Sequence, residues 1–433
     1  MINKSSIKEI FYLIKSSTLL RSSGVYTITS FINAALPLIL LPILTRKLSP
    51  EDYGIVAMFQ LAVNVVYPFI GMNLEGSIAR KYFDKDNTDF SSYIGSCFVL
   101  VACSLLIVTC FFWANFNYIH EITQIPELWL KYILIVAVCQ FITTVVLVTF
   151  QVRAQPIKYG ILQISQSILN VGLTILLVVF LNKFWDGRIE AQILTSVIFA
   201  VISFITLYQL KLIRFNVLKI DIKHALKFGV PLIPHAVGGM LFTTIDRFFL
   251  TRLVGLEQTG NYTVAYQIGA VINILTIAFN NAYTPWLFEN LNKNNIEIKN
   301  KIVRFTYLYF ALIVVGGILL LITFPYIVPI FVGGKFKSID TYSTFIVFGF
   351  VFQGMYYMVT NYIMYAHKTY VQALITISIG LLKLPITYFA IIWYGAVGAS
   401  ISFCLTFFLF FIATWILSAK VYKMPWNVFI CFK

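Results

Sequence analysis

Apolar residues run along this chain in stretches of about twenty, with short polar breaks between them. Twelve stretches stand out. Six lie near residues 24–44, 54–74, 93–113, 128–149, 161–181 and 192–210, and six near 228–251, 262–287, 305–324, 341–365, 370–393 and 396–418. An α-helix rises ~1.5 Å per residue, so each stretch can cross a hydrocarbon layer ~30 Å thick. The pattern predicts an all-α polytopic membrane protein with about 12 transmembrane helices. The longest charged interruption, "KLIRFNVLKIDIKHALK", divides the stretches six and six. We therefore expect two six-helix bundles, over 24–213 and 228–433, joined by a cytoplasmic linker at 214–227. A segment at 1–23 precedes them. Its "IKEIFYLIKSSTLLR" is basic and amphipathic, has no cleavage signature and leads into a full-length span, so it is expected to lie along the cytoplasmic membrane surface.

Charge orients the spans. Cytoplasmic loops retain Lys and Arg. With both termini placed inside, 22 of the 32 Lys and Arg fall on inside segments, 8 on outside loops (counting Lys131, at the outer edge of its span) and 2, Arg247 and Lys383, deeper within spans. Both termini are therefore expected to be cytoplasmic. The net charge of +15 needs no nucleic acid, because the excess faces anionic headgroups.

Composition agrees with this picture. Of 433 residues, 59% are hydrophobic and 11% charged, with a mean hydropathy of +0.85, whereas a soluble domain carries about 25% charged residues. The six cysteines (97, 103, 110, 139, 404 and 431) form no CxxC pair and have no histidine at metal-ligand spacing. They read as small hydrophobes, most of them inside spans. No metal and no cofactor is expected.

A repeat gives the pattern more structure. Residues 44–54 read "LTRKLSPEDYG" and residues 250–260 read "LTRLVGLEQTG", 206 positions apart. Leu44/Leu250, Thr45/Thr251, Arg46/Arg252, Glu51/Glu257 and Gly54/Gly260 agree without a gap. Both copies fall in the outside loop after the first helix of a six-helix half. Parallel repeats of this kind form one transporter plan, with the substrate path between the halves. The alternative is two good extracellular turns, each broken by its glycine.

"PLILLPILTRKLSPEDYGIVAMFQ" and "FGVPLIPHAVGGMLFTTIDRFFLTRLVGLEQTGNYTVAYQIG" resemble the two signature regions of bacterial polysaccharide flippases. These are the O-antigen (Wzx-type) and related exporters of the multidrug/oligosaccharidyl-lipid/polysaccharide superfamily. The likeness extends to span number, half-and-half layout and loop placement. It implies a MATE-like fold in the bacterial inner membrane. It also implies a flippase that moves undecaprenyl-pyrophosphate-linked oligosaccharide, as in lipopolysaccharide biosynthesis, from the cytoplasmic to the periplasmic leaflet. Its implied partners are that glycolipid, the bilayer, and the polysaccharide polymerase and chain-length machinery.

Such a cargo is anionic at its pyrophosphate and hydrated at its glycan. A charge in hydrocarbon costs at least a few kcal/mol, so the protein must supply a polar, preferably cationic, path. No bond changes, and the chain has no GxSxG, HExxH or GxxxxGK[ST], so neither an enzyme nor a nucleotide-driven motor is expected.

Lys383 in "TISIGLLKLPITYF" is the leading path candidate. It lies roughly 20 Å and 15 Å from the ends of its span, beyond easy snorkelling. Thr376, Gly380, Lys383 and Thr387 share one face, expected to point inward. The alternative is a structural ion pair. Asp246 and Arg247 come next: His235, Gly239, Phe242 and Asp246 share a face, while Arg247 is turned about 100° away. Both also lie close enough to one membrane surface to reach headgroups. His235 is either a proton-coupling group or a histidine bonded between helices. Arg46 and Arg252 hold phosphate on release or cap the preceding helix. Arg80, in "NLEGSIARKYFD", receives the incoming pyrophosphate or is an ordinary orientation signal. Gln60 and Asn64, then Asn273, Asn280 and Thr284, then Gln353, Tyr357 and Asn361 form uncharged stripes suited to sugar hydroxyls or to gluing helices. Pro37, Pro42, Pro231 and Pro234 interrupt the two lead spans at unmatched places.

Two rivals remain. A drug exporter of the same superfamily would want buried acids, whereas Asp246, Arg247 and Lys383 sum to +1. A polysaccharide polymerase or acyltransferase would want a large periplasmic loop, and no outside loop exceeds about 17 residues. The residues leave coupling to protons, sodium or the membrane potential open.

Overall fold

A computed structural model of the chain describes residues 18–84, 89–336 and 339–426. Residues 1–17 of the expected amphipathic segment, and Cys431, lie outside the described residues. Among the described residues there are fifteen α-helices and no strand. In the first half of the chain these are α1 (Thr18–Lys47), α2 (Pro50–Gly71), α3 (Leu74–Lys81), α4 (Phe90–Ala114), α5 (Phe116–Thr123), α6 (Glu127–Val152), α7 (Pro156–Thr174) and α8 (Phe184–Gln209). There follow α9 (Lys219–Gly229), α10 (Ile233–Leu253), α11 (Leu256–Asn292), α12 (Ile296–Phe331), α13 (Ile339–Tyr365), α14 (Thr369–Tyr394) and α15 (Val397–Val421). Twelve stretches are long and apolar enough to span a bilayer, one for each predicted span. The chain is a multi-pass membrane protein.

Short polar signals place the helix ends. At the start of α2, the Ser49 hydroxyl accepts from Asp52 N (3.1 Å) and the Asp52 carboxylate accepts from Ser49 N (2.8 Å). This capping box satisfies two orphan donors, and Pro50 sits at the first helical position, where its missing N–H costs nothing. Asp89 caps α4 by accepting from Ser91 N, and Asn295 caps α12 by accepting from Glu297 N. Residues 219–229, within and just beyond the expected linker, form α9 instead. A 3-10 turn at Val230–Leu232 joins α9 to α10, and its Pro231 cannot donate to a regular α-helical ladder.

The described residues fall into two compact units. Unit 1 takes the chain up to Pro37, Val66–Phe116 and Lys131–Ile233; unit 2 takes Leu38–Val65, Asn117–Leu130 and the chain from Pro234 onward. In unit 1, α3 and α9 pack on each other and on α4. Ser77 and Tyr93 share a hydrogen bond there, and Tyr93 shares another with His224 Nδ1 at 2.9 Å. In unit 2, α13 is the hub, packed by α11, α12, α14 and α15.

The two repeat copies meet inside unit 2. Neither glycine breaks a helix: Gly54 lies in α2 and Gly260 in α11. A methyl group on Gly54 would collide with the Leu256 carbonyl, and one on Gly260 with the Pro50 carbonyl. The first turns of α2 and α11 therefore touch backbone to backbone. Absence of a side chain at both crossing points permits this close approach.

Candidate functional site

The three embedded charges, Asp246 and Arg247 on α10 and Lys383 on α14, lie near one another in unit 2, beside α11. Lys383 Nζ donates to Asp246 Oδ2 at 2.7 Å and to the Phe242 carbonyl at 2.6 Å. Tyr262 OH donates to Asp246 Oδ2 (3.2 Å) and Thr387 to Oδ1 (3.4 Å), while Thr387 shares a 2.6 Å hydrogen bond with Ser402. Lys383 and Asp246 both have 0% exposure. The predicted face of α14 does point into the bundle, since Gly380, Lys383 and Thr387 are all buried. There it meets a carboxylate and a carbonyl. Buried charges persist when paired and hydrogen-bonded, and this pair is electrically neutral.

Arg247 has no carboxylate partner among the described residues. Its Nη1 donates to the Thr243 carbonyl (2.6 Å) and its Nε to Thr263 Oγ1 (3.2 Å). The guanidinium lies 4.4 Å from the Tyr266 ring centroid and 5.8 Å from that of Tyr262. The side chain is half-buried, and Nη2 carries no hydrogen bond among the described residues. Two bonds and two rings thus fix a cation whose outer edge remains available.

From Tyr266 a polar face continues down α11 through Asn273, Asn280 and Thr284, over ~27 Å. The stripe on α13 faces it. Tyr357 OH donates to Asn273 Oδ1 (3.2 Å), and Gln353 Nε2 donates to Tyr357 OH (3.0 Å). Asn361 Nδ2 donates to Asn280 Oδ1 (2.9 Å), and Thr284 donates to Asn361 Oδ1 (3.3 Å). Two stripes read separately from the sequence are one seam. Gln60 and Asn64 likewise bond to each other at 2.9 Å.

The other candidates lie apart from this group. His235 is exposed near the start of α10, 11 residues before Asp246 and so ~16 Å along the helix, and the expected common face is exposed at His235 and Gly239 but buried at Phe242 and Asp246. Arg80, on α3 in unit 1, is exposed with its guanidinium 5.6 Å from the Phe228 ring. Beside it, burial pushes the Glu75 carboxyl above the usual carboxylate range. Arg46 donates to the Ile330 carbonyl (2.9 Å) and to Pro42 O (3.4 Å), while Arg252 donates to Glu121 Oε1 (3.0 Å). Arg46 thereby reaches the end of α12, the third span of the other sequence half, and Arg252 reaches α5, the short helix that follows the third span of the first half. Thr45 bonds to Phe331 O and Gly333 N, and Gln124 donates to the Thr251 carbonyl, in the same exchange.

Unit 1 holds a polar track that the sequence reading missed. Tyr159, Gln163, Ser167, Asn170 and Thr174 share one face of α7. Ser167 donates to Asn33 Oδ1 at 2.5 Å, and Arg188 donates to Asn170 Oδ1 (2.8 Å) and Thr174 (3.1 Å). Tyr26 OH, Asn33 Nδ2 and Gln163 Oε1 are buried there without a protein partner. Helical spacing was the available signal; with no charge on α7's face it did not stand out.

Twelve apolar helices, with half-buried polar seams and a half-buried cation, define an all-α polytopic membrane protein. The solved structure of lipid II flippase MurJ, inward closed, superposes with a TM-score of 0.70 at 14% identity, covering 91% of this chain and 87% of that one. An inward-facing multidrug resistance MATE family transporter gives 0.67 at 14% identity, covering 90% and 94%. The profile of the family described as polysaccharide biosynthesis protein matches residues 19–291, and the chain belongs to that family. An uncharacterized membrane protein of Haemophilus influenzae is 25% identical over 359 residues, which is 81% of this chain and 85% of that protein.

Proposed function

We propose that the protein is a flippase. It moves an undecaprenyl-pyrophosphate-linked oligosaccharide, an O-antigen unit or a similar repeat, from the cytoplasmic to the periplasmic leaflet of the bacterial inner membrane by alternating access. One observation carries the reading. Asp246 and Lys383 cancel in a sealed pair, so Arg247, half-buried at the head of an amide-lined face, is the embedded charge left to act on cargo. An arginine fork presents paired donors that match phosphate oxygens. Asn273, Asn280 and Tyr357 supply donors and acceptors for sugar hydroxyls beyond it. Membership in the polysaccharide biosynthesis protein family supports a glycan cargo.

In this reading the Asp246–Lys383 pair holds α10 against α14 behind Arg247 and does not touch cargo. A cationic drug would need an accessible acid, and the Asp246 carboxylate is occupied by Lys383, Tyr262 and Thr387. Both termini are cytoplasmic, and an anion leaving the cytoplasm gains about 2.3 kcal/mol per charge per 100 mV of membrane potential. No covalent chemistry is assigned. The test is deletion of the gene followed by leaflet-resolved analysis of undecaprenyl-linked sugars. The reading expects inner-leaflet accumulation, reversed by the wild-type gene; unchanged leaflet distribution and unchanged surface glycan would contradict it.

A further inference from the structure

An open groove of about 510 Å³ lies between α11 and α12, lined by Phe279, Ala282, Tyr283, Trp286, Lys301 and Phe305. Its wall is a stack of near-parallel rings. Phe279 lies over Tyr309 at 4.7 Å and 22°, Tyr283 over Phe305 at 5.7 Å and 23°, and Phe279 over Tyr283 at 5.7 Å and 17°. The stacked rings make a continuous apolar wall, against which a hydrocarbon chain finds contact along its length.

Two further features say what fits. From Phe305, the exposed residues Leu308, Leu312, Val315, Leu319 and Ile322 follow at alternating steps of three and four, a single lipid-facing ridge ~25 Å long. Lys301, one turn before Phe305, is exposed at the polar end of that ridge and has no ion pair among the described residues, whereas nearby Lys293 pairs with Glu289 at 3.7 Å. An apolar slot running into an acyl-length ridge, with the unpaired Lys301 ammonium where the helix leaves hydrocarbon, matches an anionic amphiphile.

We infer that this groove is a binding site for an anionic phospholipid of the surrounding bilayer, its phosphate at Lys301 and an acyl chain along the stacked aromatics. The site stands whether or not the protein moves a glycolipid, since it requires only a bilayer lipid.

Trp286 reports on it directly. The full-length protein is reconstituted into equimolar phosphatidylcholine–phosphatidylglycerol vesicles in which one or the other lipid carries bromine near the headgroup end of its acyl chains. The Trp286 share of emission is taken as the difference between wild type and Trp286→Phe. Brominated phosphatidylglycerol should quench that share with roughly fivefold higher apparent affinity than brominated phosphatidylcholine. Lys301→Ala, a surface change, should equalise the two lipids, and Lys301→Arg should keep the preference. Equal quenching of wild type by both lipids, or a preference that survives Lys301→Ala, overturns the inference. So does relief of quenching by trace undecaprenyl phosphate, which would assign the groove to polyprenyl phosphates.

Discussion

The two copies of the eleven-residue repeat share geometry but differ in chemistry. Gly54 and Gly260 play one role twice, each clearing the way for the carbonyl of the other copy's helix. Thr45–Arg46 bond to the end of α12, the other half's third span, and Thr251–Arg252 to α5 and Gln124, which follow the first half's third span. One turn upstream the likeness ends. The residues 206 positions before Asp246 and Arg247 are Leu40 and Leu41, both buried among apolar neighbours. The second half thus carries an ion pair and a stacked arginine where the first carries two leucines. Residues that set backbone approach recur because both helices must cross; in the proposed function Arg247 alone of these residues meets cargo, and it need occur only once.

Removing one member of the buried pair is the largest blow to the half that carries charge. Lys383→Met alone should cost about 3–5 kcal/mol, because it strands Asp246. The double variant Lys383→Met with Asp246→Leu should return to near wild-type stability. Thermal unfolding in detergent reads both; a double variant no better than the single would show that the pair's value is not mutual.

The shared geometry comes next. Gly54→Ala and Gly260→Ala should each cost about 1–3 kcal/mol through backbone displacement, and by similar amounts. A large difference between them in the same unfolding assay would break the symmetry argued here. The smallest effect separates the two arginines. Arg252→Ala should cost roughly 0.2–1 kcal/mol, fall away in high salt and vanish in a cycle with Glu121→Gln. Arg46→Ala removes bonds to neutral carbonyls and should show little salt dependence.

Much of this fold is visible in the sequence, because a bilayer demands long apolar helices and each announces itself locally. The repeat is equally legible, and so is the buried face of Gly380, Lys383 and Thr387. The partner of Lys383 is not, since Asp246 lies 137 residues away and no local pattern joins them. Nor does the sequence reveal that the stripes on α11 and α13 close on each other, or that Gly54 and Gly260 touch carbonyls rather than end helices. The short helices α3, α5 and α9 are hidden for another reason: their mixed polarity reads as loop once only long apolar runs are sought.

The central claim is that Arg247 meets the cargo while Lys383 only supports the bundle. Its most direct test is surface glycan in a deletion strain carrying either Arg247→Ala or the Lys383→Met, Asp246→Leu double variant, at matched protein levels. The account predicts a loss of at least ~tenfold for Arg247→Ala, partial recovery with Arg247→Lys, and near-normal export by the double variant. Full export by Arg247→Ala, with export abolished in a stably folded double variant, would contradict it.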